Sequence, residues 1–272
     1  MRFFRSHVIL ALAFSALIVA VVWRNAIRDT FIELAKPPVP SEQPRFTATP
    51  TSPSVSVRPS VSPRLSVSVT PEAINLAVPF SAQAPRGDWS LPWQEACEET
   101  SALLVDAYWR GTTLSVEDVE SEILRLVAWQ QERFGYYQHT TAAETGIMLR
   151  EVYGYHRVDV EYGVGTERIA EHVRAGRPVI VPLAGRLLEN KYYTQPGPAY
   201  HMLVVKGIAE NGDIITNDVG TRHGRNLTYA PAVFLNAMHD VPQGGDAWPA
   251  DVDPAEYIKT GRRAIIVVYP NK

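Results

Sequence analysis

The 272-residue chain is poor in cysteine: it contains one, Cys97. A single cysteine excludes an intramolecular disulfide framework and a zinc site built from several cysteines. It also makes Cys97 the one thiol of the chain that could act as a nucleophile. The sequence has no glycine-rich phosphate loop, and five of its seven histidines lack the mutual spacing of metal ligands: His139, His156, His172, His223 and His239. We therefore predict neither a cofactor nor a metal ion.

A basic surface is also missing from the larger part of the chain. Residues 71–272 contain 18 Lys and Arg against 26 Asp and Glu, whereas residues 1–70 contain eight against three. An acidic main domain does not supply the positive footprint that nucleic-acid binding needs, so nucleic acid is excluded as a partner. Hydrophobic residues make up 46% of the sequence, which is enough for a sizeable core in a domain of about 200 residues.

The N-terminal 35 residues contain an uncharged run, residues 8–23, with arginines on both sides. At about 1.5 Å per residue this run would span roughly 24 Å, slightly less than a ~30 Å hydrocarbon core, and the flanking arginines can snorkel. We predict a signal anchor over residues 1–35 with a single transmembrane helix at about residues 8–23. A cleaved signal peptide is the alternative, although no small-x-small site follows Trp23. A buried core helix is disfavoured because no packing partner lies nearby.

Residues 36–70 are rich in Pro, Ser and Thr and cannot bury enough apolar surface to fold. We predict a disordered, semi-extended linker here. The working part is then residues 71–272, a catalytic domain tethered to the cell membrane by the N-terminal helix and held outside the cytoplasm.

Hydrophobic periodicity in residues 71–272 predicts helices followed by strands. The helices are expected over residues 94–109, from Ser115 onward, and over 141–154, 166–175 and 231–239. The strands are expected over residues 73–80, 157–161, 178–183, 201–208, 213–218 and 263–269. Because helices dominate the first half and strands crowd the second, the predicted class is α+β.

Three side chains in this domain could form a catalytic site. Cys97 lies in the first turns of a predicted helix, where the helix N-terminus favours a thiolate. His201 begins an apolar strand, and Asp218 ends the strand after it. A base that accepts the thiol proton, oriented by a carboxylate, is the general arrangement of an activated nucleophile.

The register of the hairpin around Asn211-Gly212 decides whether His201 and Asp218 can meet. A two-residue turn would place Asp218 opposite Val205, roughly 13 Å from His201. A four-residue loop would place it opposite Leu203, with His201 a diagonal neighbour about 7–8 Å away. A three-residue loop without a bulge would put the two side chains on opposite faces. The triad therefore requires the wider loop, or a two-residue turn with compensating bulges.

Several motifs resemble the papain-like cysteine peptidases, and more closely the family-thirty-nine-like domains related to the bacteriocin-processing peptidases. They are the Val-Pro-Phe-Ser-Ala-Gln segment 78–83, Cys97 at a helix start, the strand 200–207 and the strand 214–218. The resemblance covers most of residues 74–268. It implies a papain-like fold, in which an N-terminal helical part packs on an antiparallel sheet, and a peptide or protein as substrate.

The same resemblance implies roles for four residues. Cys97 would be the nucleophile, His201 the base and then the acid, and Asp218 the group that orients the imidazole. Gln83 would donate a side-chain hydrogen bond to the oxyanion, with the Cys97 backbone N–H as the second donor.

The sequence departs from this pattern directly after the cysteine, where relatives commonly have glycine and this chain has Glu98 and Glu99. Carboxylates facing the cleft would oppose ionisation of the thiol, and could select a basic substrate or suppress activity; carboxylates facing outward would be screened by water. We predict a membrane-anchored thiol hydrolase that cleaves peptide bonds. The alternatives are an inactive domain that binds peptide or cell-wall material, and a thiol amidase or transferase. Cleavage specificity and oligomeric state stay open.

Overall fold

A computed structural model of the chain describes residues 19–45, 73–245 and 248–271. The chain divides into two compact units, Met1–Pro38 and Val39–Lys272. In the first unit the described residues form a helix, α1, over residues 19–34.

Two of the sequence predictions fall partly outside the described residues. They are residues 8–18 of the predicted apolar span and residues 46–70 of the predicted linker. Within the described ranges, no helix combines the length and the apolar character needed to cross a membrane.

The second unit contains six helices and seven strands within its described part. The helices are α2 (Cys97–Arg110), α3 (Val116–Phe134), α4 (Ala142–Glu151), α5 (Thr166–Arg174), α6 (Pro231–Ala237) and α7 (Pro254–Ile258). The strands are β1 (Ile74–Asn75), β2 (Arg157–Tyr162), β3 (Val179–Ala184), β4 (Tyr200–Ile208), β5 (Ile214–Asn217), β6 (Arg225–Tyr229) and β7 (Ala264–Tyr269). They form one antiparallel sheet in the order β2-β7-β3-β4-β5-β6, with β1 paired to β4. The predicted α+β class is confirmed.

Local sequence signals explain where the helices begin and end. Ser115 accepts a hydrogen bond from the Asp118 backbone, and the Asp118 side chain accepts one in return, which makes a capping box at the start of α3. Thr141 and Glu144 form the same arrangement at the start of α4. Gly111 ends α2 in the left-handed conformation, with φ 68°, that glycine adopts without strain.

The boundaries differ from the prediction at the first strand and the first helix of this unit. The strand expected over residues 73–80 is limited to β1, because the Val78 N–H turns back to the Leu76 carbonyl at 2.8 Å and takes the chain off the sheet. The helix expected from Gln94 begins at Cys97, after a short 3₁₀ turn over Trp93–Glu95. The sequence analysis did not predict β6 or α7.

The core places α2 against the centre of the sheet. Every residue of β3 and β4 is buried, and α2 is buried from Cys97 to Trp109 and contacts β4. A helix that is buried along nearly its whole length is fixed by packing rather than by one apolar stripe. The first residue of α2 is therefore held against the strand that carries His201.

Residues 39–45, which the sequence analysis assigned to the linker, pack on the sheet. Gln43 pairs with Leu76 as an isolated bridge, donating from its backbone N–H to Asn75 O at 2.6 Å. Glu42 Oε1 lies 2.6 Å from the Nζ atom of Lys206, whose side chain is fully buried in β4. A buried ammonium is tolerated when a carboxylate and further hydrogen-bond acceptors surround it. The segment 39–45 therefore supplies the counter-charge of a core lysine.

The pair between Glu42 and Lys206 balances two opposing effects. Burial lowers the pKa of Lys206 to about 8, against the attraction of the Glu42 carboxylate. Burial raises the pKa of Glu42, but hydrogen bonds and charges from Lys206 and Arg225 outweigh it, so the net shift is downward. Glu42 thus offsets part of the desolvation cost of the buried lysine.

We predict that Glu42→Gln destabilises the domain, because it leaves the buried Lys206 ammonium without its carboxylate. Removing one partner of a fully buried pair costs about 3–5 kcal/mol, and the partial exposure of Glu42 should reduce this to about 2–3 kcal/mol. Guanidinium unfolding of the full chain at pH 7 measures the loss. The control Glu256→Gln breaks an exposed pair with Lys259 and should cost under about 0.5 kcal/mol. Equal losses in the two variants would contradict the prediction.

Candidate active site

The hairpin between β4 and β5 sets the position of Asp218. Ile208 pairs with Ile214, and a bulge between Val205 and Gly207 shifts the register before Val204 pairs with Asn217. Asp218 follows directly, beside Leu203 and diagonal to His201. This is the register that the triad requires.

The route to that register differs from both predicted routes. Ala209 N donates to Asp213 O at 2.9 Å, which leaves a three-residue loop over residues 210–212. Such a loop alone would place His201 and Asp218 on opposite faces of the sheet, and the single bulge returns them to the same face. The bulge leads into Gly207, where an added Cβ would lie 2.3 Å from the Ile74 carbonyl oxygen of β1. Only glycine allows β1 to approach this closely.

His201 and Asp218 form a buried pair at the end of the hairpin. His201 Nε2 lies 2.9 Å from Asp218 Oδ1, and both side chains are almost fully excluded from solvent. The carboxylate accepts four further hydrogen bonds, from Gly220 N (3.0 Å), Asn190 Nδ2 (3.0 Å), Tyr193 Oη (2.7 Å) and Tyr229 Oη (2.6 Å). Asp218 is thus bound to the imidazole on one oxygen and to three side chains on the other.

These contacts keep Asp218 ionised despite its burial. Burial raises the pKa of Asp218, but the charge and hydrogen bond of His201 and the hydroxyls of Tyr229 and Tyr193 outweigh it, so the pKa lies below its ordinary value. An ionised carboxylate at Nε2 fixes the proton of the neutral ring on that nitrogen. Nδ1 is then left as the basic atom of His201.

The His201 ring is also held by packing. The Tyr193 ring meets it edge-on, with the two centroids 5.6 Å apart. An added Cβ at Gly220 would lie 2.9 Å from His201 Cε1, so glycine is needed where the chain passes the imidazole. The orientation of the ring is therefore set from both sides.

The Cys97 sulfur lies beside the strand that carries His201. Sγ donates to Glu98 Oε2 at 3.0 Å and accepts from Met202 N, the residue after His201, at 3.4 Å. Among the described residues these two are its hydrogen-bond partners, and the imidazole is not one of them. The structure therefore brings Cys97 to the His201 strand with the sulfur bound to a carboxyl group.

The surroundings of Cys97 favour the neutral thiol. Burial raises the pKa of Cys97 well above its ordinary value, and the Glu98 carboxyl raises it further, against a smaller lowering by the Met202 N–H. Glu98 and Glu99 are both fully buried, so the outward orientation considered from the sequence is wrong. The Gln130 side chain donates to Glu99 Oε1, and burial raises the pKa of Glu99 to about 8.

Gln83 is placed beside the loop that leads to Cys97. Its Nε2 donates to the carbonyl oxygens of Trp93 at 2.9 Å and Gln94 at 2.7 Å, and its backbone N–H donates to Val219 O at 2.9 Å. Both amide hydrogens are used, so the side chain offers none to an oxyanion in this arrangement. Gln83 instead ties the turn before Cys97 to the chain after Asp218, and its role as oxyanion donor stays a prediction.

The side chains that hold Asp218 were not predicted from the sequence. Asn190 and Tyr193 lie in the loop between β3 and β4, and Tyr229 ends β6. The one signal for them is a pair of tyrosines in a Gly- and Pro-rich loop before His201, which is compatible with many roles. Within the described ranges, no group of three or more His, Cys, Asp and Glu side chains is arranged to hold a metal ion.

The sequence profile of the Peptidase_C39 like family matches residues 75–239, more than half of the chain. The chain belongs to this family. The resemblance predicted from the motifs is thereby confirmed, and Gln83, Cys97, His201 and Asp218 all lie inside the matched segment. No curated protein matches the chain.

Two solved structures are similar to the chain at low sequence identity. A crystal structure described as a C39-like peptidase from Bacillus anthracis is 16% identical, with a TM-score of 0.47, and the match covers 74% of this chain and all of that one. A fragment of prointerpain A from Prevotella intermedia is 14% identical, with a TM-score of 0.36, and the match covers 68% of this chain and 50% of that one. The family assignment rests on the profile match rather than on these two likenesses.

We predict that Tyr229→Phe destabilises the domain, because it removes the hydrogen bond to the buried Asp218 carboxylate and the one that Asn190 Nδ2 donates to the hydroxyl. Hydrogen bonds to charged groups contribute about 1.5–3 kcal/mol, so a loss in this range is expected on denaturant unfolding at pH 7. Tyr257→Phe is the control, because the Tyr257 hydroxyl makes no hydrogen bond to another described residue, and it should change stability by under about 0.5 kcal/mol. A Tyr229→Phe protein as stable as this control would show that the hydroxyl does not hold Asp218.

Proposed function

We propose that this chain is a cysteine peptidase that cleaves peptide bonds through Cys97, His201 and Asp218. The observation that carries the proposal is the buried His201–Asp218 pair, with its imidazole oriented by the carboxylate and its strand neighbour Met202 in contact with the Cys97 sulfur. Membership of a peptidase-like family supports the same chemistry.

The first half of the reaction forms an acyl-enzyme. The sulfur turns from Glu98 to His201, and its proton passes to Nδ1. The resulting thiolate attacks the peptide carbonyl carbon, which forms the C–S bond and moves the carbonyl electrons onto oxygen. Collapse of this intermediate breaks the C–N bond, and the departing amine takes the proton from His201. Asp218 stays ionised and stabilises the transient imidazolium.

The second half returns the enzyme to its starting state. His201 takes a proton from water as the water attacks the thioester, and the C–S bond breaks with the proton returned to sulfur. The Cys97 backbone N–H is the oxyanion donor that the fold supports best, because the first N–H groups of a helix have no intrahelical acceptor. Gln83 can join it only after releasing the Trp93 or Gln94 carbonyl.

The second candidate is a catalytically inactive domain that binds peptide or cell-wall material. Its support is the contact between the Cys97 thiol and Glu98, together with the raised pKa of Cys97, since a neutral thiol is a weak nucleophile. The peptidase requires a state in which this contact is broken, whereas the binder does not.

The proposed location is the outer side of a cell membrane, with the N-terminal segment of the chain as the tether. Its support is the uncharged run over residues 8–23 between arginines.

We expect Cys97→Ala and His201→Ala each to lower peptide hydrolysis by about a thousandfold or more, because the thiol and its base act as one unit. Hydrolysis of a peptide library by the purified full chain measures this, with mass spectrometry of the products. His239→Ala is the control: its ring bonds to the Gly261 carbonyl, away from the site, and its rate should stay within twofold of the unmodified chain.

Hydrolysis that persists in Cys97→Ala would contradict the peptidase. Peptide binding by the unmodified chain without any Cys97-dependent cleavage would favour the inactive binder.

A further inference from the structure

A buried carboxyl group contacts the thiol, and the proposed reaction gives it no part. Glu98 Oε2 accepts the Cys97 S–H at 3.0 Å, and the Glu98 side chain is fully buried. The second oxygen, Oε1, is also buried and has no hydrogen-bond partner among the described residues. A buried oxygen without a partner costs free energy, so packing alone gives no reason for a glutamate at this position.

We infer that Glu98 is a positioning residue that holds the Cys97 thiol protonated and bound away from His201. The inference rests on the proposed role of Cys97 as nucleophile. Attack requires the sulfur proton to reach His201 Nδ1, so the hydrogen bond to Glu98 must break first. Occupation of the cleft by a substrate, or loss of the Glu98 charge, releases the thiol.

The charge of Glu98 determines which state the sulfur prefers. As a carboxylate, Glu98 accepts the S–H and opposes a second negative charge 3.0 Å away. As a neutral acid it loses this repulsion and can donate its own proton to a thiolate. One side chain can therefore restrain the nucleophile in one protonation state and stabilise its reactive form in the other.

The ionisable groups around Glu98 are Cys97 and Glu99 on α2, Glu95 in the preceding turn, and Tyr200 on β4, whose hydroxyl donates to Asp240 at 2.9 Å. His139 lies beyond Glu95, with its Nε2 atom 3.7 Å from Glu95 Oε2. Burial raises the pKa of Glu98 well above its ordinary value, and Glu99 raises it further. The carboxyl therefore takes up its proton at a higher pH than an exposed glutamate does, and a fall in pH removes the restraint.

Glu99 provides a matched control on the same turn of the helix. It is equally buried, but its Oε1 accepts from Gln130 and it makes no hydrogen bond to the sulfur. Replacing either glutamate with glutamine removes one buried carboxyl group that can ionise and keeps the shape of the side chain. A difference between the two variants therefore reports the contact to the thiol.

The experiment measures iodoacetamide alkylation of the full chain, which labels the single cysteine, between pH 5 and pH 10. We expect Glu98→Gln to lower the apparent pKa of the thiol by about one unit, which raises the thiolate fraction at pH 7 about tenfold. Because a less basic thiolate is a weaker nucleophile, alkylation at pH 7 should accelerate about three- to fourfold. Glu99→Gln should change the rate by less than about twofold, since it leaves the sulfur contact in place.

An unchanged or slower alkylation rate in Glu98→Gln would overturn the inference, and so would an equal acceleration in both variants, which would indicate net charge alone. Thermal unfolding checks that each variant is folded at the assay temperature. If Glu98→Gln does not fold, Glu98→Asp decides, because the shorter carboxylate withdraws from the sulfur; acceleration supports the restraint and an unchanged rate rejects it.

Peptide hydrolysis, assayed separately, distinguishes failure of the peptidase proposal from failure of the inference about Glu98. Faster alkylation in Glu98→Gln without any Cys97-dependent hydrolysis would end the peptidase proposal and keep the restraint. Cys97-dependent hydrolysis with no change in alkylation would do the reverse.

Discussion

The buried carboxylate of Asp218 is the constraint on which the site depends. An ionised carboxylate in a protein interior costs several kcal/mol unless charges and hydrogen bonds compensate it. Here the compensation comes from the His201 ring, the Gly220 N–H, an amide and two phenols. The hydrogen bonds to this one carboxylate therefore come from the loop before β4, the end of β6 and the chain after β5. The orientation of the imidazole is a consequence of that arrangement.

The sequence predicted the residues of this site, and the helix and strands that carry them, better than the hairpin geometry that brings them together. Cys97 at a helix start, His201 in an apolar strand and Asp218 at the end of its partner were readable from local patterns, and capping residues marked α3 and α4 correctly. The required hairpin register was also identified. The loop length and the bulge that produce this register were not predicted. The only local sign of the bulge is Gly207, and a glycine is needed there because β1 passes close to it.

Contacts between distant segments account for what the sequence did not predict. Residues 39–45 have the composition of a linker, and nothing in their local pattern reveals that Glu42 neutralises a lysine 164 positions away. Likewise, Asn190 and Tyr229 become partners of Asp218 only when the sheet is assembled. In both cases the partners of a buried charge come from segments that are distant in the sequence, so local composition gives no signal for them.

The buried charges of Asp218 and Lys206 are compensated by nearby groups, whereas a negative charge on the Cys97 sulfur would not be. Asp218 has five hydrogen bonds and stays ionised, and Lys206 has a carboxylate and an amide oxygen. Around Cys97 the balance has the opposite sign, because burial and Glu98 act together against a single N–H from Met202. The same fold thus orients the His201 imidazole fully and leaves the Cys97 thiol neutral. Such an asymmetry is what a nucleophile requires if it is to ionise only when the surroundings of its sulfur change.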